Sequence, residues 1–511
     1  MPPKKCLKRP SAAIVGHLDP PEPPEWVGKQ LAAVREVEQV DWATHMARLL
    51  TDELRAFSKL MGGQVTISLW CDFAGMGTEA FAAQRIKESL TSSGLVENFT
   101  FRVYMACDND SHSRDFIEIN HSPAHMACDV DERDFGTGTM CTTAGDALQM
   151  PRGGVDIYVA CFPCGPFSPR GKRLGLDDKH GMCYTRAIET IAHIQPASYI
   201  MENLCTLTQQ KAPGDASRNI DIITEYSRKH LPNYDVVTIT KIDPTHNGYC
   251  QRKPRLLQVG LRNDIAPQGQ LAEKCERLLT NPAAITMNYR QFLKLDDAGV
   301  DWHRFNCLPA HNERQYLLWQ GCTCSVDPRK TCDVHRCKCE KCKGRVGPPK
   351  CDWRQKAIVF IEKHFGGGIE TFVGNGNDER LTYCNVLQLH GKSVSTRPRE
   401  VNMLNIVAHL PKCKPLDKTL AILDMSQGID WLNIQTDGTV QTMATNSAML
   451  CIQDGHILTE MQMATLMGHS CSTLKFRHTS ANQFKKMIGN CVHVSVMGLA
   501  VFAILGSLAG N

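Results

Sequence analysis

The residues with chemistry to offer begin at Cys164. It lies in Cys161–Ser168, C-F-P-C-G-P-F-S, directly after the apolar run Asp156–Ala160, D-I-Y-V-A. Proline fixes φ and glycine frees it, so Pro163, Gly165 and Pro166 give this loop a built shape. A cysteine just past the carboxyl end of a strand stands where open α/β sheets place their ligands. As a thiolate it would be a nucleophile; as a packed thiol it would be a small apolar side chain in a turn. Glu202 opens E-N-L after the run Ser198–Met201, which sets a carboxylate at the end of another strand, facing the same crevice. A partly desolvated carboxyl can hold a proton at neutral pH.

A second constellation precedes this one. The strand-like Val65–Trp70 breaks at Cys71–Gly77, C-D-F-A-G-M-G, and a helix is expected from Thr78. Glycines between a strand and a helix let backbone approach a ligand, with the helix N-terminus available to it. The next strand, Phe101–Cys107, ends in Asp108-Asn109-Asp110, and the short run His125–Cys128 ends in Asp129. Any one of these acids could simply cap a helix. An acid at the end of the second strand commonly holds ribose hydroxyls, and at these spacings the group describes an adenosine pocket.

The elements that must position these residues alternate. Further strands are expected at Tyr234–Ile242 and Leu256–Leu261, with helices over Tyr184–Ile194 and, before the first strand, over much of Trp26–Leu60. This order implies a doubly wound, mostly parallel sheet. The 511 residues leave room for two or three domains, and 42% hydrophobic with 22% charged is an ordinary globular composition. A net charge of +4 is too small to make the whole chain a nucleic-acid binder, so local basic patches must carry that role. No secretory signal opens the sequence, and its 24 cysteines suit a reducing compartment with free thiols and metal ligands. The apolar Val494–Gly510 is short for a span and is expected to be a buried helix, the alternative being a tail anchor.

In ordered motifs, the chain resembles the cytosine-5 DNA methyltransferases, which use S-adenosylmethionine. F-A-G-M-G (Phe73–Gly77) is similar to motif I, and Asp108 and Asp129 stand where motifs II and III place acids. F-P-C-G-P-F-S (Phe162–Ser168) resembles the P-C-Q loop of motif IV, E-N-L (Glu202–Leu204) motif VI, and Q-R-K-P-R (Gln251–Arg255) motif VIII. Leu458–His469 resembles motif IX, and Gln483–Val492 motif X. The resemblance implies a class I methyltransferase-like domain acting on double-stranded DNA. Its implied catalytic trio is Cys164, Glu202 and Arg255. The implied cofactor residues are Phe73, Ala74, Gly75, Gly77, Asp108, Asn109, Asp129, Pro163, Asn490 and Val492. An RNA cytosine-5 methyltransferase of the transfer-RNA type, or a catalytically silent DNA-binding paralogue, would share much of this pattern. Three positions depart from it. Cys71 stands where members often carry an acid, with Asp72 one step later; Gly165 follows the nucleophile in place of Gln or Asn; and Lys253 replaces the first Arg of motif VIII, keeping the charge but losing the planar fork.

Between these blocks the alternation is lost, and the resemblance implies a target-recognition domain there. The expected division is 1–60 for a basic arm, linker and N-terminal helices, 61–262 for the catalytic domain, 263–455 for target recognition, and 456–511 for a return to the catalytic domain. The middle region carries Cys322, Cys324, Cys332, His335, Cys337, Cys339, Cys342 and Cys351 among many Lys and Arg. Eight such ligands would suit one or two structural zincs on a basic knob touching phosphate; free thiols in a loose insert are the alternative. The loop Pro169–Gly181, with Arg170, Lys172 and Arg173, is a candidate to close over a flipped base. The basic arm, with Lys4, Lys5, Lys8 and Arg9, suggests the nucleus for a eukaryotic protein and the cytoplasm otherwise.

Overall fold

The structure, a computed structural model, describes residues 22–31, 34, 40–165, 178, 181–210, 218–284, 287–295, 359–360, 363–364 and 403–508 except 405, 430, 431 and 433. The basic arm, most of Pro169–Gly181 and the Cys322–Cys351 cluster lie outside these residues. The chain divides into two compact units, Met1–Met287 with Glu460–Asn511, and Asn288–Thr459.

The first unit is built on seven strands: β1 Gln64–Asp72, β2 Asn98–Cys107, β3 His125–Ala127, β7 Ile157–Ala160, β8 Ser198–Leu204, β9 Tyr234–Ile242 and β10 Arg255–Arg262. Their order across the sheet is β3-β2-β1-β7-β8-β10-β9. All the pairings from β3 to β8 are parallel, and β10 runs antiparallel to both neighbours. The central strands read as near-continuous apolar runs because both faces of a wound sheet are covered by helices. On one side α6 (Met182–Ile194) and α7 (Asn219–His230) seat Tyr184, Ile188, Ile191, Ile220 and Ile223 against Tyr158, Tyr199 and Met201 of the sheet. The chain runs outward from β1 to β3 and then returns to lay β7 beside β1, Asp72 opposite Ala160. That reversal makes the carboxyl ends of β1 and β7 the switch point where such sheets bind ligands.

Three features differ from expectation. The helical stretch before β1 is broken into α1 (Glu25–Leu31), α2 (Trp42–Leu49) and α3 (Thr51–Leu60); Asp41 starts α2 by accepting from the Thr44 backbone N–H at 3.2 Å. A small antiparallel meander, β4 (Arg133–Asp134), β5 (Thr139–Cys141) and β6 (Ala147–Gln149), is inserted before β7, its strands too short to leave a periodic signal. The alternation also continues past residue 262, since α8 (Gln270–Thr280) packs on β9, so the first unit runs to Met287, and the second unit opens with the short helix α9 (Tyr289–Phe292).

The chain returns to the first unit through α10 (Glu460–Leu466), α11 (Ala481–Asn490) and α12 (Val494–Ser507). Every residue of α12 is buried, and the helix packs on α2, α3, α8, β10 and the crossover helix α4 (Thr78–Ser92). Its uniformly apolar composition is that of a helix enclosed on all sides. Among the described residues no single helix is long and apolar enough to cross a membrane. In the second unit a small antiparallel sheet, β11 (Ile422–Asp424), β12 (Met449–Cys451) and β13 (His456–Ile457), shares a core with Met403, Leu404 and Val407.

Candidate active site

The loop after β1 is shaped by its own backbone. Phe73, Gly75 and Gly77 take positive φ of 54°, 57° and 74°. Only glycine holds that region cheaply, and a Cβ at Gly77 would lie 2.6 Å from the His121 ring. Above Gly75 the space is open, with no atom within 4 Å of where a Cβ would stand. Asp108, at the end of β2, accepts the Gly75 N–H at 2.8 Å and the Asp110 N–H at 2.9 Å. Burial pushes its carboxyl up, and those two N–H groups pull it back. Asp110, not Asp108, caps helix α5 (Ser111–His121). Asp129 caps a short 3₁₀ turn, accepting from the Asp131 N–H at 3.0 Å, and Asn109 is exposed.

Asp72 does not face a ligand. Arg133 of β4 grips its carboxylate with N–H bonds of 2.6 and 2.5 Å, Tyr158 donates at 2.5 Å and the Trp70 indole at 3.0 Å. Arg133 also donates to Thr190 Oγ1 at 2.7 Å and lies 5.5 Å over the Trp70 ring. The charge beside motif I is thus spent on fastening β1, β4 and α6 together.

The loop after β7 carries Cys164. Its base is anchored where Phe162 packs on Tyr184, ring centroids 5.4 Å apart, and where Asn203 Nδ2 donates to the Phe162 carbonyl at 3.0 Å. The E-N pair therefore divides its labour: Glu202 faces the crevice and Asn203 holds the loop that carries Cys164. The Cys164 side chain opens to solvent on one side while protein crowds the rest. That crowding pushes the thiol up; Arg255 draws it down most strongly, Glu202 pushes it up, and Lys253 also draws it down. Above Gly165 there is open space, with nothing within 4 Å of a Cβ.

Glu202 and Arg255 meet across the β8–β10 pair, Nε to Oε1 at 2.7 Å, both side chains under a tenth exposed. Antiparallel pairing sets Arg255 opposite Leu204 and Leu257 opposite Glu202, which brings the start of β10 to the end of β8. Burial raises the Glu202 carboxyl, and Arg255 and then Lys253 lower it. Arg255 Nη1 also donates to the Pro254 carbonyl at 2.9 Å. Cys164, Glu202 and Arg255, drawn from a span of 92 residues, are therefore neighbours in one crevice. Pro163 is half-buried beside them, Asn490 is exposed at the end of α11, Val492 is buried just beyond it, and Ala74 is buried behind Phe73.

Glu79 carries no weight in the sequence reading and proves to be a buried acid. It sits in the first turn of α4, 3% exposed, bonded to the Cys71 thiol. Burial lifts its carboxyl to about 7, with the Asp108 charge adding to the lift. Its only signal in sequence was an acid directly after G-M-G-T. The Cys/His set Cys322–Cys351 lies outside the described residues, and among the described residues no three His, Cys, Asp or Glu could hold a metal ion.

The crevice suits S-adenosylmethionine: open space lies over Gly75, and the Asp108 carboxylate is fixed at the end of β2 by backbone rather than consumed by a cation. Comparison with known proteins points the same way. The family model described as C-5 cytosine-specific DNA methylase matches residues 73–303. A Type II methyltransferase of Neisseria gonorrhoeae, M.NgoBI, is 33% identical over 110 residues, covering 22% of this chain and 32% of that one. The DNA (cytosine-5-)-methyltransferase M.ApeKI of Aeropyrum pernix is 26% identical over 171 residues, covering 28% and 32%. The chain thus spans about a third of the length of these relatives. A solved DNA modification methyltransferase encoded within an E. coli prophage is 16% identical at a TM-score of 0.43, covering 86% of this chain and 98% of that one, a superposition too loose to argue from. The span that the family model matches, residues 73–303, holds the loop after β1, Cys164, Glu202 and Arg255, so the crevice is the part of this chain that is similar to the C-5 cytosine-specific DNA methylases.

Proposed function

We propose that this protein methylates carbon 5 of cytosine in double-stranded DNA, through a covalent adduct on Cys164. The observation that carries this reading is the Glu202–Arg255 ion pair at 2.7 Å beside an accessible thiol, at the switch point of the sheet. Carbon 5 of cytosine is a weak nucleophile. Addition of the Cys164 thiolate to ring carbon 6 converts the ring to an enamine and makes carbon 5 nucleophilic. Negative charge then gathers on ring nitrogen 3, where a protonated Glu202 can donate; its buried carboxyl holds a proton more firmly than one in water. Arg255 donates to Glu202 Oε1, and this contact holds the carboxyl when Oε2 takes up the proton, so the donor is aimed before the base arrives. Asn203 and Tyr184 hold the base of the loop so that the thiol keeps its place. When bound, S-adenosylmethionine would supply an electrophilic methyl group, and Asp108 and the backbone at Gly75 are the residues that would hold it. A base acting through water then takes the proton from carbon 5, and the electron pair of that C–H bond re-forms the C5–C6 double bond and expels the thiolate from carbon 6. The target is inaccessible inside a stacked duplex and must be flipped out.

Transfer of tritiated methyl to duplex DNA and to transfer RNA, with Cys164→Ser as control, tests this reading. Label in DNA that the variant loses supports it. Label confined to transfer RNA replaces DNA with RNA as substrate, and label in neither, with DNA binding intact, leaves a silent binding protein.

A further inference from the structure

Lys253 is fully buried, two residues before Arg255. Its Nζ donates to the carbonyls of Ile488 at 3.3 Å and Gly489 at 3.1 Å, both in the last turn of α11. A helix C-terminus carries negative partial charge and unpaired carbonyls, so an ammonium is well placed there. The groups that face Lys253 come from four other places. Cys491 follows α11, Arg255 begins β10, Glu202 ends β8, and Cys164 occupies the loop after β7. His469 and His493 also sense it, and burial keeps both imidazoles neutral, the first pushed down to about 3 and the second held well below the ordinary imidazole value.

We infer that Lys253 is a titratable positioning residue: clamped on the end of α11, its ammonium sets how readily Cys164 ionises, which ties the nucleophile to a second proton. This rests on the reading of Cys164 as the nucleophile. Burial draws Lys253 down to about 8, and the nearby Cys491 thiol holds it back from falling further. The ammonium therefore discharges in the range where a thiol ionises. As it does so, Cys164 loses part of the positive field that favours its thiolate. The ionisation of Cys164 is spread over a wider pH range than one group alone would give. An arginine at this place would keep its charge throughout.

The experiment is alkylation of the full chain by iodoacetamide between pH 6 and 10, with the rate read on the Cys164 peptide by mass spectrometry. The wild-type curve should be shallower than a single ionisation. Lys253→Arg should give a single-ionisation curve with a lower midpoint. Lys253→Met should raise the midpoint and slow alkylation at pH 8 by roughly tenfold, the effect of about one pKa unit. A single-ionisation curve in the wild type would overturn the inference. So would midpoints unchanged in both variants when circular dichroism shows them folded; Lys253 would then be a clamp and nothing more. If neither variant folds, the wild-type curve decides alone. Alkylation needs neither cofactor nor DNA, so its outcome is separate from whether the protein methylates DNA.

Discussion

Asp72→Asn removes one negative charge from a sealed network while keeping the side chain's shape. In the wild type that carboxylate accepts two bonds from Arg133 and one each from Tyr158 and Trp70, and the side chains of both ion-pair partners are wholly buried. The asparagine leaves the guanidinium without a counter-charge, with its bond to Thr190 and one bond to the amide oxygen remaining. Its own amide N–H groups would also face two donors. Breaking a buried pair from one side costs about 3–5 kcal/mol, because the surviving charge is left desolvated. At roughly 2–4 °C per kcal/mol for a domain of this class, the first unit's melting transition should fall by about 10 °C. Differential scanning calorimetry reads this directly. Asp72→Asn with Arg133→Met removes the stranded charge and should recover much of the loss. A shift under about 2 °C in the single variant, on that same scale, would show that Asp72 and Arg133 do not fasten β1 as described, and so would a double variant no better than the single one.

Other outcomes follow from the same geometry. Glu79 holds its proton up to about 7 in the folded chain against 4.5 in a free side chain, so the fold binds more protons than the unfolded chain between those values and loses stability as pH rises through them. Glu79→Gln, which cannot ionise, should therefore raise the melting temperature at pH 8, by the equivalent of about 3 kcal/mol, and change it little at pH 4. Gly165→Gln should alter stability by no more than about 0.5 kcal/mol in urea titration, since open space surrounds a Cβ there and no positive φ is required. Metal analysis of the purified chain should return about one or two zinc ions; none would remove the Cys/His reading of 322–351.

The main strands of the sheet were legible because buried strands leave unbroken apolar runs bounded by turn residues. Val65–Trp70 proved to be the middle of Gln64–Asp72, and Tyr234–Ile242 was matched at both ends. The acid Asp108 and the Glu202–Arg255 pair were legible because ordered motifs tie them to strand ends. What escaped was pairing across long separations. Nothing local marks Arg133 as the partner of Asp72, or Asn203 as the anchor of Phe162. Three strands of two or three residues cannot show a period, so the meander that delivers Arg133 was invisible. Glu79 escaped for another reason: an acid in a first helical turn reads as a favourable surface charge, and only packing reveals that it is sealed against Cys71.

The central claim is that Cys164 attacks the cytosine ring, and covalent trapping tests it most directly. Duplex DNA carrying 5-fluorocytosine has no proton on carbon 5 to lose, so an attacking thiolate cannot leave after methyl transfer. With S-adenosylmethionine present, wild-type protein should form a denaturant-resistant complex, and mass spectrometry should place the modified base on Cys164. Cys164→Ser should form none. A complex that persists in that variant, or that maps to another residue, would contradict the account.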